Sequence, residues 1–496
     1  MQDGQISRPN WPKWLPLAGL VILALFLRLP RMGEIESTHD WLTSHTVLVT
    51  RVWQMTGLKA NHYSLVTNWP NPSDQQVLHG NASLFDEKGN TYFLSFPPLA
   101  FYLSYLFFQL SGEGASILPL RVLTMFASSL GAWALARSIR SAWGGGGGRW
   151  ESRLPELIAA GVFLLSPVSL HYFGAAYFSL ILSIPLWMGL VMEAIRPKPR
   201  LWLTGLASFT LCYTDWLGYL AALPIAIVWL RRREWRLLAG LCLPAGLALG
   251  VTFATYGSIA GWPAMVEALR ARYTERAGLG HAAGLLSAFE LRTYFAIARN
   301  YFLAFAPLAV PFIWCAACLI NGRGQQQPPI PAPAWTLLWY MAVPVALDNL
   351  LLLNHTAYHR YAVLKAAPAL GVALAMCMTA RPWRNRMVDA GCLLAAFGLS
   401  AGIFYRQAFD ADPMAPEIAR VVQYQAGLDR VLFLQRNNLM KMAEPSLLLL
   451  SERNFHMVNS IGHARSELRR LGKAKGYYVW VLSYVPPRAD GRLIEP

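Results

Sequence analysis

The sequence predicts an all-α polytopic membrane protein with a small α/β domain after its last membrane span. Of its 496 residues, 55% are hydrophobic and 14% are charged, whereas a typical soluble protein has about 25% charged residues. The apolar residues are also gathered into long runs, and a helix needs roughly 20 such residues to cross the hydrocarbon core. The clearest runs are residues 15–29, 158–170, 237–253, 301–320, 335–353 and 388–404.

The formal net charge of +16 is concentrated in short basic loops between these runs. The loops are residues 137–153, 196–200, 231–236 and 381–386. Short basic loops beside membrane spans follow the positive-inside rule and are expected on the cytoplasmic side. This distribution indicates the lipid bilayer as the partner and excludes nucleic acid. The six cysteines lie within apolar runs, so no disulfide framework is predicted.

Placing the basic loops inside predicts 11 to 13 transmembrane helices. Residues 1–404 form the transmembrane domain, with residues 34–92 as its first extracytoplasmic loop, and residues 405–496 form an extracytoplasmic α/β domain. One crossing is required between Tyr92 and Arg137, yet two apolar runs, 94–110 and 117–135, lie there. Either one run is re-entrant or the loop 137–153 lies outside. In the tail, strands are predicted at 446–450 and 477–485, and a helix at 460–472.

Acidic residues and a histidine follow the first span directly. Glu34, Glu36, His39 and Asp40 lie within seven positions, and apolar residues at helical spacing over 40–55 predict an interfacial helix. Asp40 stands at the start of that helix, where it would also make a good N-cap. A carboxylate held between membrane and water suits the removal of a proton from a hydroxyl group. Glu34 and Glu36 fit a solvated loop equally well.

Several short motifs follow one another along the first part of the chain. They are Arg28-Leu29, His39-Asp40, Phe96-Pro97-Pro98-Leu99 and Arg121. In this order and spacing they resemble the membrane-embedded GT-C glycosyltransferases, in particular the group of protein O-mannosyltransferases and the lipid A aminoarabinose transferase. That group usually has Asp-Glu where His39-Asp40 stands and Lys or His where Phe96 stands. A later aspartate of the group has no counterpart in residues 171–179.

The resemblance implies a GT-C fold and the transfer of a hexose or pentose from a polyprenyl-phosphate carrier. The acceptor would be a lipid, a glycan or a protein outside a bacterial inner membrane. Asp40 would be the general base beside His39, and a divalent metal ion stays open as a cofactor. The residues assigned to the donor phosphate are Arg360, His359, Tyr361, Lys365 and Arg121. The residues assigned to the acceptor or to accessory polar contacts are Glu36, Asp215, Tyr92, His355 and His171.

Asp215 and residues 355–365 are also functional candidates because of their positions alone. Asp215 lies between two apolar helices, where an unpaired carboxylate is costly and therefore a functional candidate; an aqueous outer turn is the alternative. Residues 355–365 place His and Tyr beside Arg360 and Lys365 at another outer turn. Arginine suits phosphate because its planar fork donates two parallel hydrogen bonds. Snorkelling of Arg360 and Lys365 to lipid headgroups is the alternative.

Two other functions are weighed against the sugar transferase. A polytopic transporter or flippase commonly shows internal repeats and broken helices, and the sequence has no convincing repeat. An O-antigen-ligase-like transferase of whole glycans would use an arginine-rich outer loop with a histidine, a pattern faintly present in Arg270, Arg272, Arg276 and His281. The sugar, the acceptor and the oligomeric state are not predicted.

Overall fold

The protein is largely helical. The computed structural model describes residues 14–32, 41–70, 83–144, 153–278, 290–321, 330–380, 386–408, 414–425, 430–435, 444–484 and 487–496. In chain order, its α-helices are α1 Leu15–Arg28, α2 Trp41–Thr56, α3 Leu99–Ser111, α4 Ile117–Ala142, α5 Leu154–Leu165, α6 Pro167–Ala175, α7 Ser179–Ala194, α8 Leu201–Cys212, α9 Leu217–Arg231, α10 Trp235–Ala260, α11 Trp262–Ala277, α12 Leu291–Phe305, α13 Ala309–Asn321, α14 Ala332–Leu351, α15 Leu353–Tyr358, α16 Ala367–Thr379, α17 Arg386–Ala408, α18 Met414–Gln425, α19 Glu444–Ser451 and α20 Ile461–Arg470.

The long apolar helices make this an integral multi-pass membrane protein. Within the described ranges, six helical segments are long and apolar enough to cross a bilayer, and the bent pair α5 and α6 forms a seventh. Five shorter apolar helices, α1, α3, α7, α8 and α9, accompany them. These twelve segments fall within the predicted range of 11 to 13 when the short helices are counted as spans.

The two apolar runs between Tyr92 and Arg137 form helices of very different length. Helix α3 has 13 residues and is about 20 Å long, less than the ~30 Å of the hydrocarbon core. Helix α4 has 26 residues and is long enough to cross. Helix α3 packs on α2, where the hydroxyl oxygens of Thr50 and Ser104 are 2.6 Å apart. Of these two helices, α4 is the one long enough for the single crossing that the basic loops require. Without α3 the twelve segments become eleven, which still falls within the predicted range.

The span formed by α5 and α6 is bent by 59°. Proline has no backbone N–H to continue a helix, and Pro167 opens α6 directly after the bend. Arg28 supports the bend, because its Nη2 donates to the carbonyl oxygen of Leu164 at 2.8 Å and its Nη1 donates to Ser128 Oγ at 3.0 Å. Pro167 starts this further helix, and residues 171–174 are buried within it.

Helix α2 confirms the helix predicted over residues 40–55, but its environment differs from a bilayer surface. Most of its side chains are buried, including those of Thr43, Ser44 and Thr50. Thr43 Oγ1 donates to the carbonyl oxygen of Ala175 at 3.3 Å and accepts from the N–H of Tyr177 at 3.0 Å. The helix is therefore an interior element that contacts the α6–α7 connection on one side and the tail on another.

The strands form two separate sheets. The strands are β1 Ser83–Phe85, β2 Thr91–Phe93, β3 Val431–Gln435, β4 His456–Val458, β5 Gly476–Tyr484 and β6 Pro487–Ile494. In the first loop, β1 and β2 form an antiparallel hairpin. In the tail, the order is β4-β3-β5-β6, with β3 parallel to β4 and β5, and β6 antiparallel to β5.

The tail confirms the predicted strand at 477–485 and helix at 460–472 as β5 and α20. The strand predicted at 446–450 is wrong, because those residues lie in α19. Pro445 suits a first helical turn and the leucines that follow are strong helix formers. Their burial comes from contact with α2, where Ser446 Oγ lies 3.1 Å from Ser44 Oγ, so an apolar run that looks like a strand belongs to a short buried helix.

The first loop is joined to the tail by a reciprocal pair of hydrogen bonds. The N–H of Trp69 donates to Asn454 Oδ1 at 2.7 Å, and Asn454 Nδ2 donates to the carbonyl oxygen of Trp69 at 2.7 Å. The indole N–H of Trp69 donates to the carbonyl oxygen of Leu448 at 2.9 Å. All three contacts are buried, so they join the tail to the first loop and satisfy the backbone N–H and carbonyl groups of Trp69.

Candidate active site

Three of the residues predicted for the site, His355, His359 and Tyr361, lie together beside Trp41, the first residue of α2. The ring centroids of His355 and His359 are 5.0 Å apart, and those of His359 and Tyr361 are 5.1 Å apart. His355 Nε2 lies 3.1 Å from Tyr361 Oη. The Trp41 ring lies 6.1 Å from that of His359 and 6.3 Å from that of Tyr361. We call Trp41, His355, His359 and Tyr361 the site cluster.

A buried ion pair stabilises the turn that carries His355, His359 and Tyr361. It consists of α15 and a 3-10 helix, Arg360–Ala366. Lys365 Nζ forms an ion pair with Asp348 Oδ2 of α14, with the lysine side chain fully buried. Asn300 Nδ2 of α12 donates to the carbonyl oxygens of Thr356 and Ala357 at 2.9 Å each. These contacts satisfy the backbone where helix α15 ends and fix the direction in which the cluster faces.

Two arginines of helix α11 reach the start of α3. Arg272 Nε donates to Ser95 Oγ at 2.7 Å, and its guanidinium lies 5.2 Å from the Phe93 ring centroid. Arg276 lies 4.7 Å from the ring centroid of Phe96. Phe96 stands where the resembling group carries Lys or His, and here a guanidinium covers it from another helix. Arg272 is paired with Glu275 at 2.7 Å, whereas Arg276 has no ion pair among the described residues.

The charge of Arg276 couples this helix to the site cluster. Burial and, to a smaller extent, the charge of Arg272 lower the pKa of Arg276 to about 10, while Tyr361 and Asp215 oppose the shift. The guanidinium therefore stays protonated at neutral pH. Burial, followed by the charge of Arg276, holds the pKa of His355 well below its ordinary value. His355 is consequently a neutral imidazole able to act as donor or acceptor.

Asp215 lies in the turn between α8 and α9 and is only 4% exposed. Its Oδ1 accepts from the N–H of Leu217 at 2.9 Å. Burial raises the pKa of Asp215 to about 6, and the charge of Arg276 opposes this shift. The turn is covered by residues 95–99, because Trp216 Nε1 donates to the carbonyl oxygen of Ser95 at 2.8 Å. The buried position rules out the aqueous outer turn that was the alternative interpretation of Asp215.

Two polar atoms of the site cluster, Trp41 Nε1 and His355 Nδ1, are buried without a hydrogen-bond partner among the described residues. Nearby, a side-chain hydrogen bond from Ser179 contributes to lowering the pKa of Asp215 against the effect of burial. Buried polar groups in folded proteins almost always have a partner, and exceptions call for an explanation such as a ligand or water. The two atoms come from α2 and α15, which meet in the site cluster, so a polar ligand bound there would satisfy both elements.

The remaining predicted residues lie at varying distances from the cluster. Arg360 directly precedes Tyr361, is partly buried, and makes no hydrogen bond or ion pair within the described part of the chain. Arg121 is buried, and its Nε donates to the carbonyl oxygen of Ala175 at 2.8 Å, at the α6–α7 connection. His171 is 7% exposed in α6, with its ring 4.7 Å from that of Tyr172. Tyr172 in turn lies 6.1 Å from the Tyr361 ring.

Tyr92 belongs to the hairpin of the first loop. Its hydroxyl donates to Asp86 Oδ2 at 2.9 Å, and Asp86 also accepts from the backbone and side chain of Asn90. These hydrogen bonds lower the pKa of Asp86 against the opposing effect of burial, which is the largest single cause acting on it. Tyr92 therefore fixes the hairpin that leads into α3.

The predicted residues Glu36, His39 and Asp40 lie outside the described residues. Within the described ranges, no group of three or more His, Cys, Asp or Glu side chains suits a metal ion. The divalent metal ion therefore remains a prediction, as do the roles of the three first-loop residues.

Comparison with known proteins places this arrangement in a fold family. No family model and no curated protein matches the sequence. Among solved structures, ArnT from Cupriavidus metallidurans bound to undecaprenyl phosphate is 11% identical with a TM-score of 0.58, and the match covers 95% of this chain and 94% of ArnT. AglB from Archaeoglobus fulgidus, in complex with an inhibitory peptide and a dolichol-phosphate, is 12% identical with a TM-score of 0.52, over 95% of this chain and 70% of AglB. Both are GT-C enzymes. The chain has the GT-C fold.

The GT-C fold confirms the predicted fold class. Three features of the site are not evident from the sequence. Trp41 counts there only as an apolar position of the predicted helix, although it follows Asp40 directly. Arg272 and Arg276 belong to the pattern of the ligase alternative, and Asp348 lies within an apolar run. The sequence does contain a signal for Asp348, because an ionisable residue within a span is a functional or paired residue by default.

Proposed function

We propose that this GT-C protein transfers a sugar from a polyprenyl-phosphate-linked donor to an acceptor on the extracytoplasmic face. The observation that carries the proposal is the site cluster with its unpaired polar atoms, flanked by Arg276 and Arg360. Two structures of similar fold contain the phosphate of a polyprenyl lipid. Cationic side chains at one end of a membrane bundle suit such a lipid, because its phosphate lies at the membrane surface and its chain lies in the bilayer.

In the proposed reaction, the first loop supplies the base, and the site cluster with its flanking arginines binds the donor. Asp40, directly before Trp41 in the chain, accepts the proton of the acceptor hydroxyl. The acceptor oxygen then bonds to the anomeric carbon of the sugar, and the bond from that carbon to the phosphate oxygen breaks. The polyprenyl phosphate leaves with the negative charge, which Arg360 and Arg276 stabilise. Neutral His355 and the Tyr361 hydroxyl orient the sugar or the phosphate by hydrogen bonds.

Binding of undecaprenyl phosphate to the purified full-length protein tests the phosphate half of this proposal. Native mass spectrometry should show one retained lipid, and undecaprenol without the phosphate should be retained much more weakly. Arg360→Ala and Arg276→Ala should each weaken retention about tenfold or more, since a hydrogen bond to a charged group contributes about 1.5–3 kcal/mol. Arg299→Ala on α12 is the matched control. Equal retention of the phosphate lipid and the alcohol would overturn the proposal.

The arginines of α11 are also compatible with the ligase-like alternative. Arg272 and Arg276 lie side by side over residues 93–96, and two adjacent cations suit a diphosphate carrier as well as a monophosphate. The two reactions differ in the lipid that they release. Accumulation of polyprenyl phosphate during turnover supports the monosaccharide transferase, whereas accumulation of the diphosphate supports the ligase.

A further inference from the structure

The end of the bundle opposite to the site cluster contains a cavity of about 190 Å³. It lies between the start of α1, the end of α4 and the start of α5. Arg121, at the site end of α4, and Arg137, in the wall of this cavity, are separated by about 24 Å along the helix axis. The cavity therefore opens at the membrane surface that carries the basic loops. We call it the inner cavity.

The wall of the inner cavity combines aromatic rings with arginines. Trp14 and Trp133 line it and are 64% and 45% exposed. Tryptophan rings of this kind favour the headgroup level of a bilayer, where one edge meets apolar chains and the other meets water. The guanidinium of Arg137 lies 5.7 Å from the centroid of the Trp133 ring. The stacking holds this cation at the wall of the cavity.

The charges at the inner cavity are only partly compensated. Arg140 is neutralised by Glu156, with two hydrogen bonds of 2.7 and 2.5 Å. Arg137 makes no hydrogen bond or ion pair with any residue that the structure describes. The neighbouring basic loop differs, because Glu193 pairs with both Arg196 and Arg200 at 3.4 and 3.3 Å. An open cavity, a stacked cation and interfacial tryptophans thus occur together here.

We propose that the inner cavity binds the phosphate headgroup of one anionic membrane phospholipid, independently of the catalytic site. Arg137 donates to the phosphate, which its planar fork suits, and the tryptophans cover the glycerol region. Clusters of basic residues at this surface attract anionic lipids. The stacked guanidinium and the defined cavity turn that general attraction into a site for a single lipid molecule.

Native mass spectrometry of the full-length protein, titrated with phosphatidylglycerol and separately with phosphatidylcholine, tests this proposal. One phosphatidylglycerol per chain should be retained, about tenfold more tightly than phosphatidylcholine. Arg137→Gln should lower that retention about tenfold. Because Arg137 is exposed, the variant should fold normally, and its thermal midpoint checks this. Arg200→Gln, which alters a paired arginine at the same membrane surface, is the matched control.

Three results would overturn the proposal. Equal retention of the two phospholipids would leave no headgroup recognition. An equal loss in Arg137→Gln and Arg200→Gln would assign the binding to general surface charge. Displacement of phosphatidylglycerol by millimolar inorganic phosphate would identify a site for a free anion rather than for a lipid.

Discussion

Asp40 is the residue on which the catalytic proposal rests most directly. Asp40→Asn keeps the size of the side chain and its ability to cap a helix, but the amide cannot take the acceptor proton. Transfer should fall by about 10²–10⁴-fold, the usual contribution of a general base, while the protein still folds and binds undecaprenyl phosphate. Product formation with a lipid-linked donor measures this.

Glu36→Gln is the matched control for that experiment, because Glu36 fits a solvated loop position. It should retain most of the wild-type rate. If Glu36→Gln is inactive and Asp40→Asn is active, the base is Glu36. If both variants transfer sugar at the wild-type rate, the role of the first-loop acids as a base is wrong.

Asp215 gives a pH dependence whose sign follows from its environment. Its pKa in the folded protein is about 6, against an ordinary 3.8. Because the folded state holds the proton more tightly than the unfolded state, stability is present below pH ~4 and is lost as the pH rises through ~6. The loss is on the order of 3 kcal/mol. Asp215→Asn should remove it, so the thermal midpoint should depend less on pH between 4 and 7.

Asp490→Asn serves as the control, because this carboxylate is exposed on the tail. It should leave the pH dependence of the thermal midpoint as in the wild type. An Asp215→Asn variant with an unchanged pH profile would mean that burial does not raise the pKa of this carboxylate in the folded protein, which would contradict the prediction.

In the α14–α16 region, the ion pair between Asp348 and Lys365 bears on whether Lys365 stabilises the fold or binds the donor phosphate. Asp348→Asn would leave a buried lysine without its counter-charge, which typically costs 3–5 kcal/mol. The thermal midpoint should fall strongly, and the double variant Asp348→Asn with Lys365→Met should recover much of the loss. If Asp348→Asn instead keeps its stability and binds undecaprenyl phosphate more tightly, Lys365 is a phosphate ligand, as the sequence prediction has it.

The elements differ in how far the sequence could predict them. Hydropathy predicted the long spans, because a run that is apolar on every side has few alternatives to a membrane helix. It did not predict the bend between α5 and α6 or the helix α19, although Pro167 and Pro445 are local signals for the start of a helix. It could not predict that Arg28 reaches Leu164 or that α2 buries residues 446–450. These contacts join residues far apart in the sequence.

The same distinction applies to the candidate site. His355, His359 and Tyr361 were predicted together because they are neighbours in the sequence, and the fold brings them together. Arg276 and Asp215 join them only through the packing of α11 and the α8–α9 turn, so local pattern gave no sign of their proximity. Charges brought together by long-range packing are the part of a site that a single sequence reveals least.

At the scale of the whole molecule, the contact between Trp69 and Asn454 joins the tail to the first loop. Asn454→Ala removes both hydrogen bonds to the Trp69 backbone and leaves buried groups unsatisfied, at a cost of about 1–3 kcal/mol each. The amides of residues 65–69 should then exchange hydrogen faster, as measured by mass spectrometry. Asn459→Ala, at an exposed tail position, should leave their exchange unchanged. Equal protection in both variants would show that the tail docks without this pair.

This contact has a consequence for biosynthesis. The two partners are separated by 385 residues, so at 5–20 residues per second the ribosome makes Asn454 roughly 20 to 80 s after Trp69. During that interval, the first loop has been synthesised but lacks the partner for its Trp69 backbone. The segment around Trp69 therefore reaches its final form only when translation is almost complete, and a nascent chain released before the tail would carry an unfinished first loop.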